Sequence, residues 1–171
     1  MYKTIICRIG DTPGMKTKLL AVAASKLLCA ATAVEQPVPY PRGFRSWTHV
    51  KTAIITPAHP AFRSEGGLHH IYANQKAVQG FGTGQFPDGS AIAYELLETQ
   101  EKDGVISEGE VRRVDVRVKD AARYASTGGW GFEGFVGAEQ TNGVLADAVR
   151  TTCFQCHARA ADKGLAFSHI R

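Results

Sequence analysis

Two cysteines and a histidine lie together near the end of the chain, in the run CFQCH from Cys153 to His157. Thiols three apart, followed at once by an imidazole, form the attachment pattern of a c-type haem. The two sulfurs add to the vinyl groups, and the adjacent His157 is delivered to one axial face of the iron. Two other chemistries use a similar pair. A redox dithiol of the thioredoxin type accompanies a βαβ pattern, whereas this motif sits late in the chain within a segment that reads as helix. A tetrahedral zinc site takes four ligands, and no second close cysteine pair supplies them. The spacing favours one covalent haem c, with Cys153 and Cys156 as thioethers and His157 as proximal ligand.

Composition constrains the other axial position. The only methionines are Met1 and Met15, so a chain matured beyond them has no thioether for the iron, and the His/Met ligation of many electron carriers is not expected. What remains is another side chain, an open position, or one of His49, His59, His69, His70 and His169. An open or weakly filled face would let the iron bind a small molecule, which a gas-binding or catalytic haem requires.

The chain has 171 residues, 44% of them hydrophobic, with a mean hydropathy of -0.15. That suits one core and about one domain. The formal charge of +4 is concentrated at the front. Residues 1–33 carry Lys3, Arg8, Lys16, Lys18 and Lys26 against Asp11 alone, and taking these from the totals of 20 basic and 16 acidic residues leaves 15 of each. A mature chain so balanced offers no case for nucleic-acid binding. The front segment reads as an export signal: Lys16 and Lys18, an apolar run from Leu19 to Ala30, then Ala31-Thr32-Ala33 as the cleavage site, with Met15 as an alternative start. The run is too short for a permanent membrane span. The reading is a signal peptide over 1–33, one haem domain over 34–171, and a periplasmic protein.

The scaffold that must hold the motif reads as strands. Ser46 to Thr56 and Gly67 to Ala73 are enriched in β-branched and aromatic residues, and Asp88-Gly89 marks a turn before a buried strand from Ser90 to Thr99. Glu110 to Asp120 alternates. Arg112, Val114, Val116 and Val118 share one side; Val111, Arg113, Asp115, Arg117 and Lys119 share the other. Gly129 to Gly137 is an aromatic strand loosened by glycines, and Trp47, Trp130, Phe132 and Phe135 read as core. Asn74 is placed to cap a short helix, and a helix over 143–163 carries Leu145, Ala148, Val149, Thr152 and Cys156 on one face, with Gly164 as its stop. The expected fold is α+β, mainly an antiparallel sheet of about five strands with peripheral helices, the last of which carries the haem motif.

That organisation argues against the four-helix cytochromes c′, which share the C-terminal motif. The chain resembles instead the cytochrome P-460 family and its relative cytochrome c′-beta, in order and spacing, through YPRGFRSWTHVKT, GGLHHIYAN, FGTGQFPDGSAIAYELLE, VDVRVKDAARYASTGGWGFEGF and CFQCHARAADKGLAF. The resemblance implies an antiparallel β platform, usually a homodimer, with a haem held against the sheet. In members that oxidise hydroxylamine, a lysine on the strand after the DG turn is joined to the haem edge and a carboxylate handles protons. Tyr94 stands at the lysine's position here and Asp115 at the carboxylate's, while His69 falls where the enzymes carry an arginine. The resemblance thus makes Tyr94 and Asp115 the candidate catalytic residues, and His69 or His70 a distal or propionate contact. It implies a five-coordinate haem binding nitric oxide or a similar ligand, with oxidation of hydroxylamine or nitric oxide as the alternative and electron transfer to a redox partner protein as a further one.

Overall fold

The computed structural model describes residues 37–136, 142–168 and 170; the leader expected over 1–33 and His169 lie outside the described residues. Five strands form one antiparallel sheet in the order β1-β2-β3-β4-β5. They are β1 Thr48–Ile55, β2 Gly67–Ala73, β3 Ala91–Lys102, β4 Val105–Lys119 and β5 Trp130–Val136. Every strand pairs with its sequence neighbour, as short connections favour. Helix α1 (Phe62–Glu65) precedes β2, α2 (Gln75–Thr83) precedes β3, and α3 (Asp147–His157) follows β5. The α+β fold with five strands is as expected.

Local chemistry explains most of the boundaries. The Asn74 side chain accepts a hydrogen bond from Ala77 N at 2.9 Å and so starts α2; Gly84, at φ 73°, ends it in the left-handed conformation. Strands β3 and β4 extend beyond the expected Thr99 and Glu110 because Asp103-Gly104 closes them as a hairpin. Both residues have positive φ, 53° and 76°, which the favoured two-residue turn requires.

Side-chain alternation splits the sheet into two apolar faces. On one, Ala93, Val114, Val116 and Phe135 pack with Val38, with Phe44 at the start of a 3-10 turn, and with Tyr124. On the other, Ile92, Trp130 and Phe132 pack with Ala73, Ala77, Phe86 and Ala166, and Cys153, Phe154 and Leu165 lie against this second cluster. The CFQCH run therefore packs on the face that carries the odd-numbered side of β4, including Asp115 and Arg117.

The last helix differs from expectation at its start and in its buried face, and it tightens before the expected stop at Gly164. Residues before Asp147 first follow the edge of β5, where Val144 N donates to Gly134 O at 2.9 Å. The helix ends at His157, and a 3-10 turn over Ala158–Lys163 takes the chain to Gly164. The inward residues are Arg150, Cys153, Phe154 and His157, one i, i+3, i+4, i+7 stripe, while Val149 and Cys156 are exposed. The apolar spacing misled because the inward face is chosen by an ion pair. Glu133 of β5, with a fully buried side chain, pairs with Arg150 at 2.6 Å and accepts from Leu145 N at 2.9 Å.

This pair fixes the rotation of α3. Replacing Arg150 by Met leaves the Glu133 charge buried without its cation, and should cost on the order of 3 kcal/mol of folding free energy. Urea unfolding of Arg150→Met checks it, and adding Glu133→Gln should restore part of the loss.

Candidate functional site

The end of α3 sets His157. Its ring lies between Phe132, with centroids 5.6 Å apart, and Phe167, at 5.1 Å. Nδ1 is 2.9 Å from the Leu165 carbonyl oxygen and 3.2 Å from an Arg117 guanidinium nitrogen. The two contacts cannot both be hydrogen bonds, since the carbonyl only accepts and the guanidinium only donates. The shorter one decides: Nδ1–H donates to Leu165 O, which also accepts from Arg117. That leaves Nε2 as the free nitrogen, the arrangement that orients a metal-ligating imidazole. Burial, then the nearby Arg117 charge, pushes the His157 pKa down to about 4, so the imidazole is neutral, as a ligand must be.

The carbonyl reaches His157 because the chain turns back sharply after the 3-10 segment. Gly164 has φ 62° and Leu165 φ 66°, and a Cβ on Gly164 would stand 2.3 Å from Gly84 O. Only glycine fits there. Cys153 is half-buried and Cys156, nearly one turn on, is exposed; they are not joined to each other. Burial raises the Cys153 thiol pKa.

A polar cluster occupies the same face of the sheet. Tyr94 and Asp115 are direct cross-strand partners on β3 and β4. The Tyr94 hydroxyl donates to Glu65 Oε2 at 3.2 Å. Arg113 donates from Nε to Asp115 Oδ2 at 2.7 Å and from Nη2 to Glu65 Oε2 at 2.8 Å. The His69 ring stacks on Tyr94 with centroids 4.9 Å apart, and its buried Nδ1 has no partner among the described residues. Burial, and secondarily Lys51, lowers the His69 pKa. Burial and then Glu65 raise that of Tyr94, keeping it a neutral phenol. For Asp115, burial outweighs the pull of Arg113 and lifts the pKa to about 6.

His70 is not brought to this cluster. Strand alternation puts it on the opposite face, where its Nδ1 lies 2.7 Å from Thr52 Oγ1 and its Nε2 2.8 Å from Glu108. His49 joins it there through Thr52, and His59 is exposed, accepting from Ala61 N. The structure also assembles residues that sequence reasoning left out. Glu65 lies in a four-residue helix with no periodic signal, and Arg117 read as one charge among several on β4. The mixed content of that strand face was the available hint, since a side carrying both acids and bases can face a pocket as well as water.

Residues 41–168 match the protein family described as cytochrome P-460. The chain belongs to the cytochrome P-460 family. A comparison with curated proteins finds no match. As a cytochrome P-460 family member the chain is a haem cytochrome, and the residues present suit the group. They offer two unpaired thiols and an imidazole whose second nitrogen is already committed to a carbonyl. Among the described residues no three His, Cys, Asp or Glu side chains gather as metal ligands, and no helix is long and apolar enough to cross a membrane.

Asp115 makes the stability of this family member pH-dependent. Its pKa stands above the ordinary 3.8, so the folded state holds the proton more tightly than the unfolded one. Stability contributed by the protonated acid is full below pH 4 and is lost as pH rises through about 6. Urea midpoints of the wild type should fall across that window, and Asp115→Asn should flatten the dependence.

Proposed function

We propose that the chain is an exported, periplasmic cytochrome with one covalent haem c, held by Cys153 and Cys156 with His157 as the axial ligand, that binds nitric oxide or a similar small molecule on the other side of the iron. The observation that carries this reading is the hydrogen bond from His157 Nδ1 to Leu165 O, which supplies one oriented imidazole and frees its Nε2. When bound, the haem iron supplies a redox-active centre that takes small ligands. His69 is the one other imidazole that the described residues bring to this face, and its unpartnered Nδ1 is available to a ligand. Stacking on Tyr94 restrains the ring, and its lowered pKa keeps it neutral.

Tyr94 favours binding over turnover. Its hydroxyl donates to Glu65 and burial keeps it protonated, so it does not repeat the nitrogen linkage of the lysine in the hydroxylamine-oxidising members. The alternative is an oxidoreductase acting on hydroxylamine or nitric oxide. One observation supports it: a carboxyl group with a pKa of about 6 sits cross-strand from Tyr94, suited to moving protons near neutral pH. Electron transfer to a redox partner protein is the further reading, weakened by the lack of any methionine beyond Met15. The homodimer rests on the family resemblance alone.

The test is the protein matured with its haem. We expect two thioether bonds and no third attachment by peptide mass, reversible binding of nitric oxide to the reduced form, and no hydroxylamine oxidation. Cys153→Ala with Cys156→Ala should abolish covalent haem, and Tyr94→Phe should leave the attachment unchanged. Hydroxylamine turnover with a third link at Tyr94 would replace this reading with the enzymatic one.

A further inference from the structure

Arg117 is a buried cation without an anion. Its residue is 8% exposed, and no carboxylate among the described residues lies at ion-pair distance from it. Isolated charges are expensive to bury, and here burial alone lowers the guanidinium pKa to about 10, still charged at neutral pH. Its neighbours are the Trp130 ring, 4.8 Å below the guanidinium carbon, the Leu165 carbonyl, and His157 Nδ1 at 3.2 Å. Strand β4 delivers it there, with Ile92 and Phe132 as cross-strand partners. A methionine or leucine of similar volume would fill the space at no electrostatic cost, so the charge itself calls for a reason.

We propose that Arg117 is a positioning residue that weakens the electron donation of His157 to the iron and favours the ferrous state. It acts in two ways. Arg117 shares the one carbonyl that accepts from His157 Nδ1–H, which lowers that carbonyl's basicity and leaves the imidazole less imidazolate-like. Its positive charge, little screened at this depth, also opposes the added positive charge of ferric iron. Hydrogen bonding behind the axial ligand and charge buried nearby are two of the levers by which a protein sets a haem potential. The consequence for ligand binding is direct, because a raised potential holds the iron in the reduced form that nitric oxide prefers.

This inference rests on His157 being the axial ligand, and the test separates the two. Haem-loaded wild type, Arg117→Met, Arg117→Gln and Arg117→Lys are compared by midpoint potential and by the iron–histidine stretching band of the reduced protein. The neutral variants should shift the ferric/ferrous equilibrium towards ferric on the order of tenfold, about 59 mV for one electron, and move the stretching band to higher frequency. Arg117→Lys should keep most of the wild-type potential, a rescue that a purely structural role would not produce. If Arg117→Met fails to fold, Arg117→Gln carries the comparison. An unchanged potential and band in a neutral variant would overturn the role of Arg117 while leaving His157 as ligand. Absence of the iron–histidine band from wild type would overturn the ligand assignment as well.

Discussion

The Leu165 carbonyl oxygen is the point through which the site is organised. It accepts from His157 Nδ1 and from Arg117, so the end of α3, the closing turn and the middle of β4 meet at one atom. A carbonyl has two lone pairs and can serve both donors, but only if the backbone presents it inward. Left-handed conformations at Gly164 and Leu165 achieve that, in a place where Gly84 O leaves no room for a side chain. The strained φ of Leu165 is the local cost of aiming the acceptor at an imidazole.

On the opposite end of the same face, charge balance replaces a single anchor. Arg113 holds two carboxylates, Asp115 and Glu65, and Glu65 in turn holds the Tyr94 hydroxyl. Arg113 is thus compensated by two acids while Arg117, four residues further along β4, has none among the described residues. One strand face carries, side by side, an ion-paired network and a cation with no acid partner among the described residues. A buried charge without its counter-charge is costly, and this sets the Arg117 end of the face apart from the Arg113 end.

The helix that carries the cysteines depends on packing its sequence does not advertise. Glu133 is fully buried and reaches Arg150, Leu145 N and Gly134 N, so the edge strand grips the start of α3 by polar contacts. Apolar periodicity placed Val149 and Cys156 inward, whereas the ion pair turns Arg150, Cys153, Phe154 and His157 to the sheet. A buried charge that must find its partner outranks a few exposed apolar groups, because an unpaired Glu133 costs more than an exposed Val149.

The sequence by itself determined the strand count, the cap at Asn74, the stop at Gly164 and the close Cys-Cys-His spacing at 153–157, because each is written in local spacing or in a backbone conformation that few residue types adopt. It also carried the family, through the order of several segments. Only the tertiary structure decided that His69 joins Tyr94 while His70 joins Glu108, that Glu65 enters the cluster from a short helix, and that Arg117 stands behind His157. These are contacts between residues 25 to 48 positions apart, and no local pattern encodes which distant partner a buried polar group will reach.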